Sequence, residues 1–475
     1  MPKGTENKPF FITTPIYYAS GSPHIGHAYT TVVADCLARF KKEQGYEVFF
    51  STGTDEHGQK IAKKAEEEGK EVRAFVDEMT DGFQKLWQAL DIEYTKFIRT
   101  TDTHHIKAVQ KVLQTLYDNG SIYQGFYEGL YCIGCEQFKT EEDLVLGKCP
   151  DHNSVPEFMR EESYIMKMTE LQDELIHRIE TDVLCVTSGK YKTEILSFLK
   201  REKLEDVSIS RKNVKWGIPL PFDEAHTTYV WVDAFLNYLT VLGWDGDTDV
   251  VPKEWPADVQ IIGKDILRVH ATIWPAVLMH LGIPTQKLLL THGHILSGGK
   301  KMSKTMGNII DPLTLVERFG VDGTRYLLMS AGTFGGDVDL TLERMTEKYN
   351  ADLANGLGNL VSRVLKLAEQ VSLCREISTL KDSETMDTLM NEYKFSEALQ
   401  HIWQKVSEAN KYIDEMKPWV LVTSDGTKFS EVMEVLLGQL ASIAILLQPF
   451  MPETSEKIKR ALKTGKVEPL FQRIK

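Results

Sequence analysis

Two short motifs in the sequence carry residue types that bind phosphate groups. The first, Pro23-His24-Ile25-Gly26-His27, lies between an apolar, β-prone run and a stretch with helical periodicity. A helix start offers unpaired backbone N–H groups and the positive end of a dipole, and two imidazoles would add donors there. Gly26 removes a side chain where a nucleotide could lie close. On its own the motif is equally compatible with a capping turn that carries two surface histidines.

The second motif spans residues 298–305 and has the sequence GGKKMSKT. The glycine pair would act as a hinge, and Lys301 and Lys304, which flank Ser303, suit a loop that closes over a polyphosphate. A solvated basic loop is the alternative for this segment taken alone. Because the two motifs lie in the two halves of one interrupted α/β pattern, each beyond a predicted strand, together they favour one shared phosphate site.

Four residues have the spacing of a zinc site. Cys132 and Cys135 form one pair and Cys149 and His152 form another, with two residues between the members of each pair. Such tight turns aim both side chains at one tetrahedral ion, and thiolate and imidazole ligands suit zinc. A disulfide or free thiols are the alternative, but a disulfide would leave His152 without a role. Four protein ligands leave no position for water, so we expect a structural zinc ion.

The elements that would position these motifs follow an α/β pattern. Residues 10–14 form an apolar run, residues 32–40 repeat apolar side chains at helical spacing, and residues 48–50 form a second short apolar run. Residues 52–55 are then expected as a loop beyond the carboxyl end of the second strand. A strand, a helix and a strand with short connections predict a parallel crossover unit, and ligands bind beyond the carboxyl ends of such strands.

The pattern changes along the rest of the chain. From about residue 119 to residue 215, turns, aromatic residues and the Cys/His pairs predict an insertion, with charged helical patches such as residues 161–181. The α/β pattern resumes with a strand at residues 259–262 and a helix at about residues 266–281. Beyond about residue 349 the periodicity is helical almost without interruption, which predicts a separate helical bundle.

Composition and charge restrict the class of protein further. The 475 residues are 42% apolar and 26% charged, which is typical of a soluble globular protein. The formal net charge of −13 means that a nucleic acid would have to bind through local basic patches, such as the one at residues 457–475. We see no basic leader before an apolar core and no uninterrupted apolar run long enough to span a bilayer, so we expect a cytoplasmic protein.

Taken together, the two phosphate-binding motifs resemble the signature motifs of class I aminoacyl-tRNA synthetases. The surrounding chain is similar to the methionyl-tRNA synthetase family, in its short bacterial form with a single zinc knuckle. Matching segments occur along nearly the whole chain: Thr13–Tyr18, Thr52–Gly58, Tyr229–Ala234, Gly263–Ile266, His270, Trp274–Pro275, the Cys/His pairs, Asn355, Asn359, Arg363 and Lys417–Trp419. Thr305 departs from the family pattern, in which serine is usual, but it preserves the hydroxyl group.

The resemblance implies a fold and its division into domains. We expect a Rossmann-like parallel-sheet catalytic domain that is interrupted by a zinc-containing connective insertion and followed by an all-α anticodon-binding bundle. The implied segments are the first half of the catalytic domain at residues 1–118, the insertion at residues 119–225, the second half with the lysine loop and stem-contact region at residues 226–348, and the bundle at residues 349–475. The sequence ends without the C-terminal tRNA-binding domain that dimerises many bacterial relatives, so we expect a monomer.

The resemblance also implies an activity. We expect ATP-dependent ligation of L-methionine to its tRNA through a methionyl-adenylate, which serves both initiation and elongation of protein synthesis. The expected partners are L-methionine, ATP with Mg²⁺, and methionine-accepting tRNAs. One structural zinc ion per chain completes the expected cofactors, and no membrane is involved.

The family pattern assigns roles residue by residue. The implied phosphate-binding catalytic residues are His24, His27, Lys301 and Lys304, and the wider ATP site adds Gly26, Gly263, Asp265, Ser303 and Thr305. The implied methionine pocket comprises Ile16, Tyr18, Trp231, Ala234, Tyr238, Ile266, His270 and Trp274, with Asp55 taking the substrate ammonium. The implied anticodon readers are Asn359, Arg363 and Trp419, and the implied zinc ligands are Cys132, Cys135, Cys149 and His152.

Two other functions are compatible with parts of this pattern. A class I ligase for leucine, isoleucine or valine would usually carry a larger editing insertion, and the cysteine enzyme would need an open position on its zinc ion. An RNA-binding or scaffold protein could retain an inert synthetase fold, although intact His24, His27, Lys301 and Lys304 argue against this alternative.

Overall fold

The computed structural model describes residues 8–133, 137–139, 141–150, 153–212, 214–302, 310–370, 383–465 and 469–475. The β-strands are β1 Pro9–Thr13, β2 Tyr17–Tyr18, β3 Glu47–Asp55, β4 Lys96–Arg99, β5 Ile122–Cys132, β6 Gln137–Lys139, β7 Glu157–Met166, β8 Cys185–Thr187, β9 Val207–Ser208, β10 Ser210–Arg211, β11 Pro219–Leu220, β12 Asp223–Thr228, β13 Val259–Gly263, β14 Leu288–His292, β15 Ile295–Ser297, β16 Lys300–Lys301 and β17 Val338–Asp339.

The α-helices are α1 Ile25–Glu43, α2 Gln59–Glu67, α3 Val72–Ala89, α4 Thr103–Asp118, α5 Gln172–Glu180, α6 Gly189–Arg201, α7 Val230–Phe235, α8 Asn237–Thr240, α9 Leu267–Ala271, α10 Ile273–His280, α11 Pro312–Phe319, α12 Val321–Met329, α13 Leu342–Lys348, α14 Asn359–Ala368, α15 Ser383–Asn391, α16 Phe395–Met416, α17 Pro418–Ser424, α18 Gly426–Leu447 and α19 Pro452–Thr464. A π-helical segment, Tyr349–Gly358, leads directly into α14, and a short 3₁₀ turn, Lys264–Ile266, precedes α9.

The chain forms two compact units that are interleaved along the sequence. The first unit contains the chain up to Pro23, Tyr46–Lys85 and Glu93–Thr291. The second contains His24–Gly45, Leu86–Ile92 and the chain from His292 onward. The helix that begins with the first histidine motif therefore belongs to the same unit as the lysine motif and the C-terminal helices.

A parallel sheet forms the centre of the first unit. Its strand order is β2-β3-β1-β13-β14-β8, and β4 pairs with the other edge of β3. The strand pairs β1–β3, β1–β13, β3–β4 and β14–β8 are parallel, as the predicted crossover units require. The central strands are short and apolar; Phe11, Ile12 and Phe50 are fully buried. The predicted Rossmann-like sheet is therefore confirmed.

Three local predictions differ from the structure. Residues 52–55 belong to β3 rather than to a loop, because they pair with β4 and β2 in regular register. The helical prediction for residues 161–181 is wrong over its first six residues, which lie in β7 and pair antiparallel with β5. The helix predicted at about residues 266–281 is broken into a 3₁₀ turn, α9 and α10. In the first two cases pairing with a neighbouring strand determines the local conformation.

The second unit confirms the predicted helical character of the C-terminal region. Helices α14–α19 follow the π-helical segment, with residues 371–382 outside the described part of the chain. α18 is the apolar core helix and contacts α14, α16, α17 and α19. Within the described residues it is the one helix with the length and composition of a membrane span, but 67% of its most apolar window is buried inside the protein.

Candidate functional site

The two histidines of the first motif form the N-terminal cap of α1. His24 is the capping residue, and its Nδ1 accepts a hydrogen bond from the backbone N–H of Gly26 at 3.1 Å. The Nδ1 of His27 accepts from the backbone N–H of His24 at 3.2 Å. The two rings stack with their centroids 3.6 Å apart and an angle of 20° between their planes. The motif is thus both a capping turn and a pair of adjacent imidazoles.

These hydrogen bonds determine which ring nitrogen can donate to a ligand. Because Nδ1 is the acceptor in both rings, a neutral imidazole carries its proton on Nε2. Burial, with a further contribution from the neighbouring His24, holds the pKa of His27 well below its ordinary value. His27 is therefore a neutral hydrogen-bond donor rather than a cation at physiological pH.

The glycine in this motif has a steric role. A Cβ atom on Gly26 would lie 3.0 Å from Cε1 and 3.1 Å from Nδ1 of His24. The space beside Gly26 is thus occupied by the His24 ring, which folds over the first turn of α1. The expected place of Gly26 in an ATP site stays a prediction.

The second motif begins as a tight β-hairpin. β15 and β16 pair antiparallel, with Ser297 opposite Lys300 and Leu296 opposite Lys301. The turn residues Gly298 and Gly299 have φ values of 62° and 73°, which non-glycine residues rarely adopt. The hairpin places the backbone of Lys301, whereas Ser303, Lys304 and Thr305 lie outside the described residues.

A histidine just before the hairpin contacts the first turns of α1. The Nε2 of His292 is 2.8 Å from Oγ1 of Thr30, whose hydroxyl also donates to the carbonyl of Gly26. The ring of His292 also meets the ring of Tyr29 edge to face. The chain segment that leads into the lysine motif is therefore held against the helix that carries the histidine motif.

The residues of the expected methionine pocket come from several elements of the first unit. Tyr18 on β2 lies opposite Asp55 at the end of β3 in the parallel register. Trp231 and Ala234 lie on α7, Tyr238 on α8, Ile266 on the 3₁₀ turn, His270 on α9 and Trp274 on α10. Ile16, Tyr18, Trp231, Tyr238, Ile266 and Trp274 belong to one hydrophobic cluster. The structure therefore brings together residues that are far apart in sequence.

His270 is the centre of the aromatic part of this cluster. Its Nδ1–H donates to the carbonyl of Ile266 at 2.8 Å, and its Nε2 then accepts from the hydroxyl of Tyr238 at 2.9 Å. Burial lowers the pKa of His270 to about 4, although the Ile266 carbonyl and Asp265 act in the opposite direction. The ring of Trp231 meets His270 edge to face. The group formed by Trp231, Tyr238 and His270 is thus aromatic, polarizable and uncharged at neutral pH.

Strands β3 and β4 approach each other closely at Gly53. A Cβ atom on Gly53 would lie 2.1 Å from the carbonyl oxygen of Ile98 and 3.0 Å from Cγ2 of Ile16. Only glycine fits at this position of β3, two residues before Asp55. Gly263 and Asp265 lie at the carboxyl end of β13, where ligands of parallel sheets bind.

Sequence reasoning assigned no role to two buried residues of α7, Phe235 and Asp233. Phe235 packs edge to face on His270 and parallel to Trp274. Asp233, one residue before Ala234, is buried and hydrogen-bonded to two histidines. The position of Asp233 beside Trp231 and Ala234 in the sequence was the available signal.

Part of the expected zinc site is described. Cys132, at the end of β5, and Cys149 are both buried. The Sγ of Cys132 is 3.9 Å from Oγ of Ser154, and the backbone N–H of Cys149 donates to the carbonyl of Ser154 at 2.8 Å. Ser154 therefore contacts the chain near both Cys132 and Cys149. Cys135 and His152 lie outside the described residues, so the four-ligand set remains a prediction.

The expected anticodon residues lie on the C-terminal helices. Trp419, in the first turn of α17, is 47% exposed, so it is not a core packing residue. The guanidinium of Arg363 on α14 lies 5.8 Å from its ring centroid and also pairs with Asp414. One turn earlier, the exposed Asn359 lines a cavity of about 380 Å³ whose other wall includes Pro469–Phe471. An exposed indole beside a guanidinium suits single-stranded RNA.

Two family models and a solved structure are similar to this chain. A family model described as tRNA synthetases class I (M) matches residues 10–155 and 152–365, and a model of the anticodon-binding domain of tRNA ligases matches residues 379–471. The Mycobacterium tuberculosis methionyl-tRNA synthetase in complex with methionyl-adenylate is 34% identical, with a TM-score of 0.89 over 98% of both chains.

Two curated relatives are more similar in sequence. The methionine–tRNA ligases of Clostridium acetobutylicum and Clostridium perfringens are 46% and 45% identical over 96% of this chain and 74% of their own lengths. Identity of this extent along nearly the whole chain establishes that it belongs to the methionyl-tRNA synthetase family of class I aminoacyl-tRNA synthetases.

Proposed function

We propose that this chain ligates L-methionine to methionine-accepting tRNAs, with ATP as the energy source and methionyl-adenylate as the intermediate. The observation that carries the proposal is its similarity over nearly its full length to a synthetase seen in complex with methionyl-adenylate. The same activity serves both initiation and elongation, because both use methionine attached to tRNA.

The first step requires no general base. The carboxylate of methionine is already ionised at neutral pH, and it attacks the α-phosphate of ATP to form the adenylate and release pyrophosphate. The catalytic problem is the negative charge that develops on the phosphates, which preorganised donors can stabilise. Mg²⁺ that binds with ATP would share the charge of the β- and γ-phosphates.

The two motifs divide this task. The Nε2–H groups of His24 and His27 donate to the ATP phosphates, since their Nδ1 atoms are engaged with the backbone. Lys301 and Lys304 bind the β- and γ-phosphates when the hairpin loop closes, together with Ser303 and Thr305. In this proposal Gly263 and Asp265 lie near the nucleotide at the carboxyl end of β13.

The pocket in the first unit recognises the amino acid. Asp55 binds the substrate ammonium, and the side chain enters the cluster around Trp231, Tyr238 and His270. Sulfur–aromatic contacts contribute about 0.3–1.5 kcal/mol each, so an uncharged aromatic wall favours a thioether. The neutral state of His270 is consistent with this role, because a charged imidazolium would favour a polar ligand.

An exchange assay across a panel of amino acids tests the proposal. Amino-acid-dependent ATP–pyrophosphate exchange should be fastest with methionine, and it should be at background with leucine, isoleucine, valine and cysteine. Exchange with another amino acid would indicate a different ligase of the same class. Absence of exchange with every amino acid would support an RNA-binding protein with an inert synthetase fold.

The zinc ion is proposed to be structural and bound by Cys132, Cys135, Cys149 and His152. We expect about one zinc ion per purified chain, and the variant Cys149→Ser should lose most of it and lower the stability of the insertion. Metal analysis and thermal unfolding of this variant provide the measurement. Cys185→Ser, on β8, is the matched control and should retain the zinc content; equal zinc loss in both variants would contradict the assignment.

The sequence-based expectations of a monomer and a cytoplasmic location are part of the proposal. Light scattering of the purified protein tests the oligomeric state, and fractionation of the source cells tests the location.

A further inference from the structure

A buried carboxylate lies on the short helix α7, which also carries Trp231 and Ala234 of the proposed methionine pocket. Asp233, in the middle of α7, is 1% exposed. Its Oδ2 accepts a hydrogen bond from Nδ1 of His57 at 2.7 Å, and its Oδ1 accepts from Nε2 of His105 at 2.8 Å. Both imidazoles are themselves buried. The adenylation chemistry proposed above does not use any of these three groups.

The two histidines connect Asp233 to two different segments that carry pocket residues. His57 lies two residues after Asp55, at the end of β3. His105 lies on α4, and its Nδ1 is 2.7 Å from Oγ1 of Thr240, the last residue of α8. The network therefore joins the segment that carries the ammonium-binding carboxylate to α7, and it joins α7 to the helix that carries Tyr238.

The β3 end of this network is itself fixed. Glu56, between Asp55 and His57, is fully buried and accepts two hydrogen bonds from the guanidinium of Arg99, at 2.7 and 3.0 Å. Hydroxyl groups of Thr54 and Thr80 also donate to it. A carboxylate that accepts so many charge-assisted and neutral bonds cannot move without leaving buried donors unpaired.

The electrostatics favour a charged carboxylate at Asp233. Burial alone would raise its pKa, but the charge of His57 and the hydrogen bonds from His105 and His57 hold the pKa below its ordinary value. The bonds from both imidazoles are therefore made to an ionised acceptor, which makes them stronger than neutral hydrogen bonds.

We propose that Asp233, His57 and His105 are positioning residues that set the distance between the apolar wall of the methionine pocket and Asp55. Trp231 and Ala234 flank Asp233 on the same short helix, so a shift of α7 moves the wall relative to the ammonium site. The network thereby determines the length of amino acid that the pocket accepts. This inference rests on the proposed methionine pocket.

A matched pair of substitutions at His57 tests the inference. His57→Asn places an amide N–H near the position of Nδ1 and should preserve the bond to Asp233, whereas His57→Ala removes it. In ATP–pyrophosphate exchange we expect His57→Ala to raise the KM for methionine about tenfold without changing the KM for ATP. We also expect the ratio of kcat/KM for methionine over ethionine, which is one methylene longer, to fall about fivefold. His57→Asn should restore most of both values.

The ratio distinguishes positioning from a general loss of structure. A smaller fraction of folded enzyme lowers both kcat/KM values equally and leaves their ratio unchanged. An unchanged ratio in His57→Ala, or equal damage in His57→Asn, would overturn the inference. If His57→Ala does not fold, Asp233→Asn supplies the same comparison, since its amide can accept from only one of the two imidazole N–H groups.

Two further variants complete the design. His104→Ala is the matched control, because His104 lies beside His105 but bonds the backbone carbonyl of Thr240 rather than Asp233; its ratio should equal that of the parent protein. Trp231→Ala tests the pocket itself. If Trp231→Ala leaves the methionine-to-ethionine ratio of kcat/KM unchanged, the proposed pocket is rejected. If Trp231→Ala lowers this ratio but His57→Ala does not, only the positioning network is rejected.

Discussion

At the scale of single residues, the proposed chemistry depends on groups that are kept neutral or kept charged by their surroundings. Burial lowers the pKa of both His27 and His270, which favours their neutral forms. The lysines of the second motif supply the formal positive charge instead. In the proposed function, this separation would let one site stabilise phosphate charge and another accept an apolar side chain.

Lys304, the last lysine of the second motif, gives the first residue-scale prediction. We expect Lys304→Ala to lower the rate of adenylate formation by two to three orders of magnitude, because loss of one preorganised donor costs about 3 kcal/mol in comparable sites. The dissociation constant for methionine should hardly change. Single-turnover kinetics and methionine binding provide the two measurements, with the exposed neighbour Lys300→Ala as the control. Equal losses of rate and of methionine affinity would contradict the role.

The buried imidazole of His270 gives a pH prediction. Its pKa falls from 6.5 to about 4 on folding, so the unfolded chain binds a proton between these values that the native protein does not. The free energy of unfolding should therefore decrease by about 3 kcal/mol as the pH falls from 7 toward 4. Denaturant unfolding at pH 7 and pH 4.5 measures this change. His270→Asn should reduce it, whereas Tyr238→Phe, which keeps the imidazole, should not.

The sequence predicted residues with chemical roles but not the reasons for their positions. Gly26 was predicted to lie near a nucleotide, but the sequence did not indicate that the His24 ring packs closely beside it. Asp233 was overlooked, because a carboxylate in an apolar helix gives no indication of its two histidine partners. Such partners are joined only by the fold, and no local pattern encodes them.

At the scale of elements, the short helix α17 presents the tryptophan that is proposed to contact RNA. α17 begins after Lys417, whose φ of 46° is left-handed, and Pro418 occupies its first turn. This abrupt change of direction after α16 leaves the ring of Trp419 exposed beside Arg363.

Substitution of this tryptophan tests the role of α17. We expect Trp419→Ala to lower kcat/KM for tRNA by about 10- to 100-fold, since stacking of one base contributes about 1–3 kcal/mol. ATP–pyrophosphate exchange should stay near the parent value. Aminoacylation and exchange assays provide the comparison, and the exposed neighbour Val420→Ala is the control. A parallel loss of both activities would make Trp419 a structural residue only.

The elements themselves were predicted with uneven success. The strands at residues 10–14 and 259–262 and the helices beyond residue 349 follow from apolar runs and helical spacing alone. β7 was missed because its first half is rich in glutamate and arginine, and only its pairing with β5 makes it a strand. The break between α9 and α10 was also missed, although Pro275, in the first turn of α10, was a signal for it in the sequence.

At the scale of the whole molecule, one buried arginine connects early and late parts of the second unit. The guanidinium of Arg325 on α12 is fully buried and pairs with Asp35 on α1 at 2.7 Å. It also donates to the carbonyl groups of Leu90, Pro449 and Phe450. Asp35 is paired in addition with Arg39. Helix α1, which begins at the histidine motif, is thereby joined to the segment that follows α18.

Removal of this arginine should destabilise the second unit. We expect Arg325→Met to lower the free energy of unfolding by about 3–5 kcal/mol, because a buried carboxylate loses a partner and three carbonyl groups lose their donor. Chemical denaturation measures the change. In the double variant Asp35→Asn with Arg325→Met the loss should be smaller than the sum of the single losses; strict additivity would show that the two groups do not interact.

The interleaving of the second unit also affects how the protein is made. A ribosome releases residues 24–45 long before it releases α12 and Phe450, so the nascent α1 has no Arg325 to pair with Asp35. Helix α1 therefore stays partly exposed until most of the polypeptide has been synthesised. Incomplete translation products that already contain the histidine motif and the lysine motif would consequently lack the packing that holds the histidine motif in place.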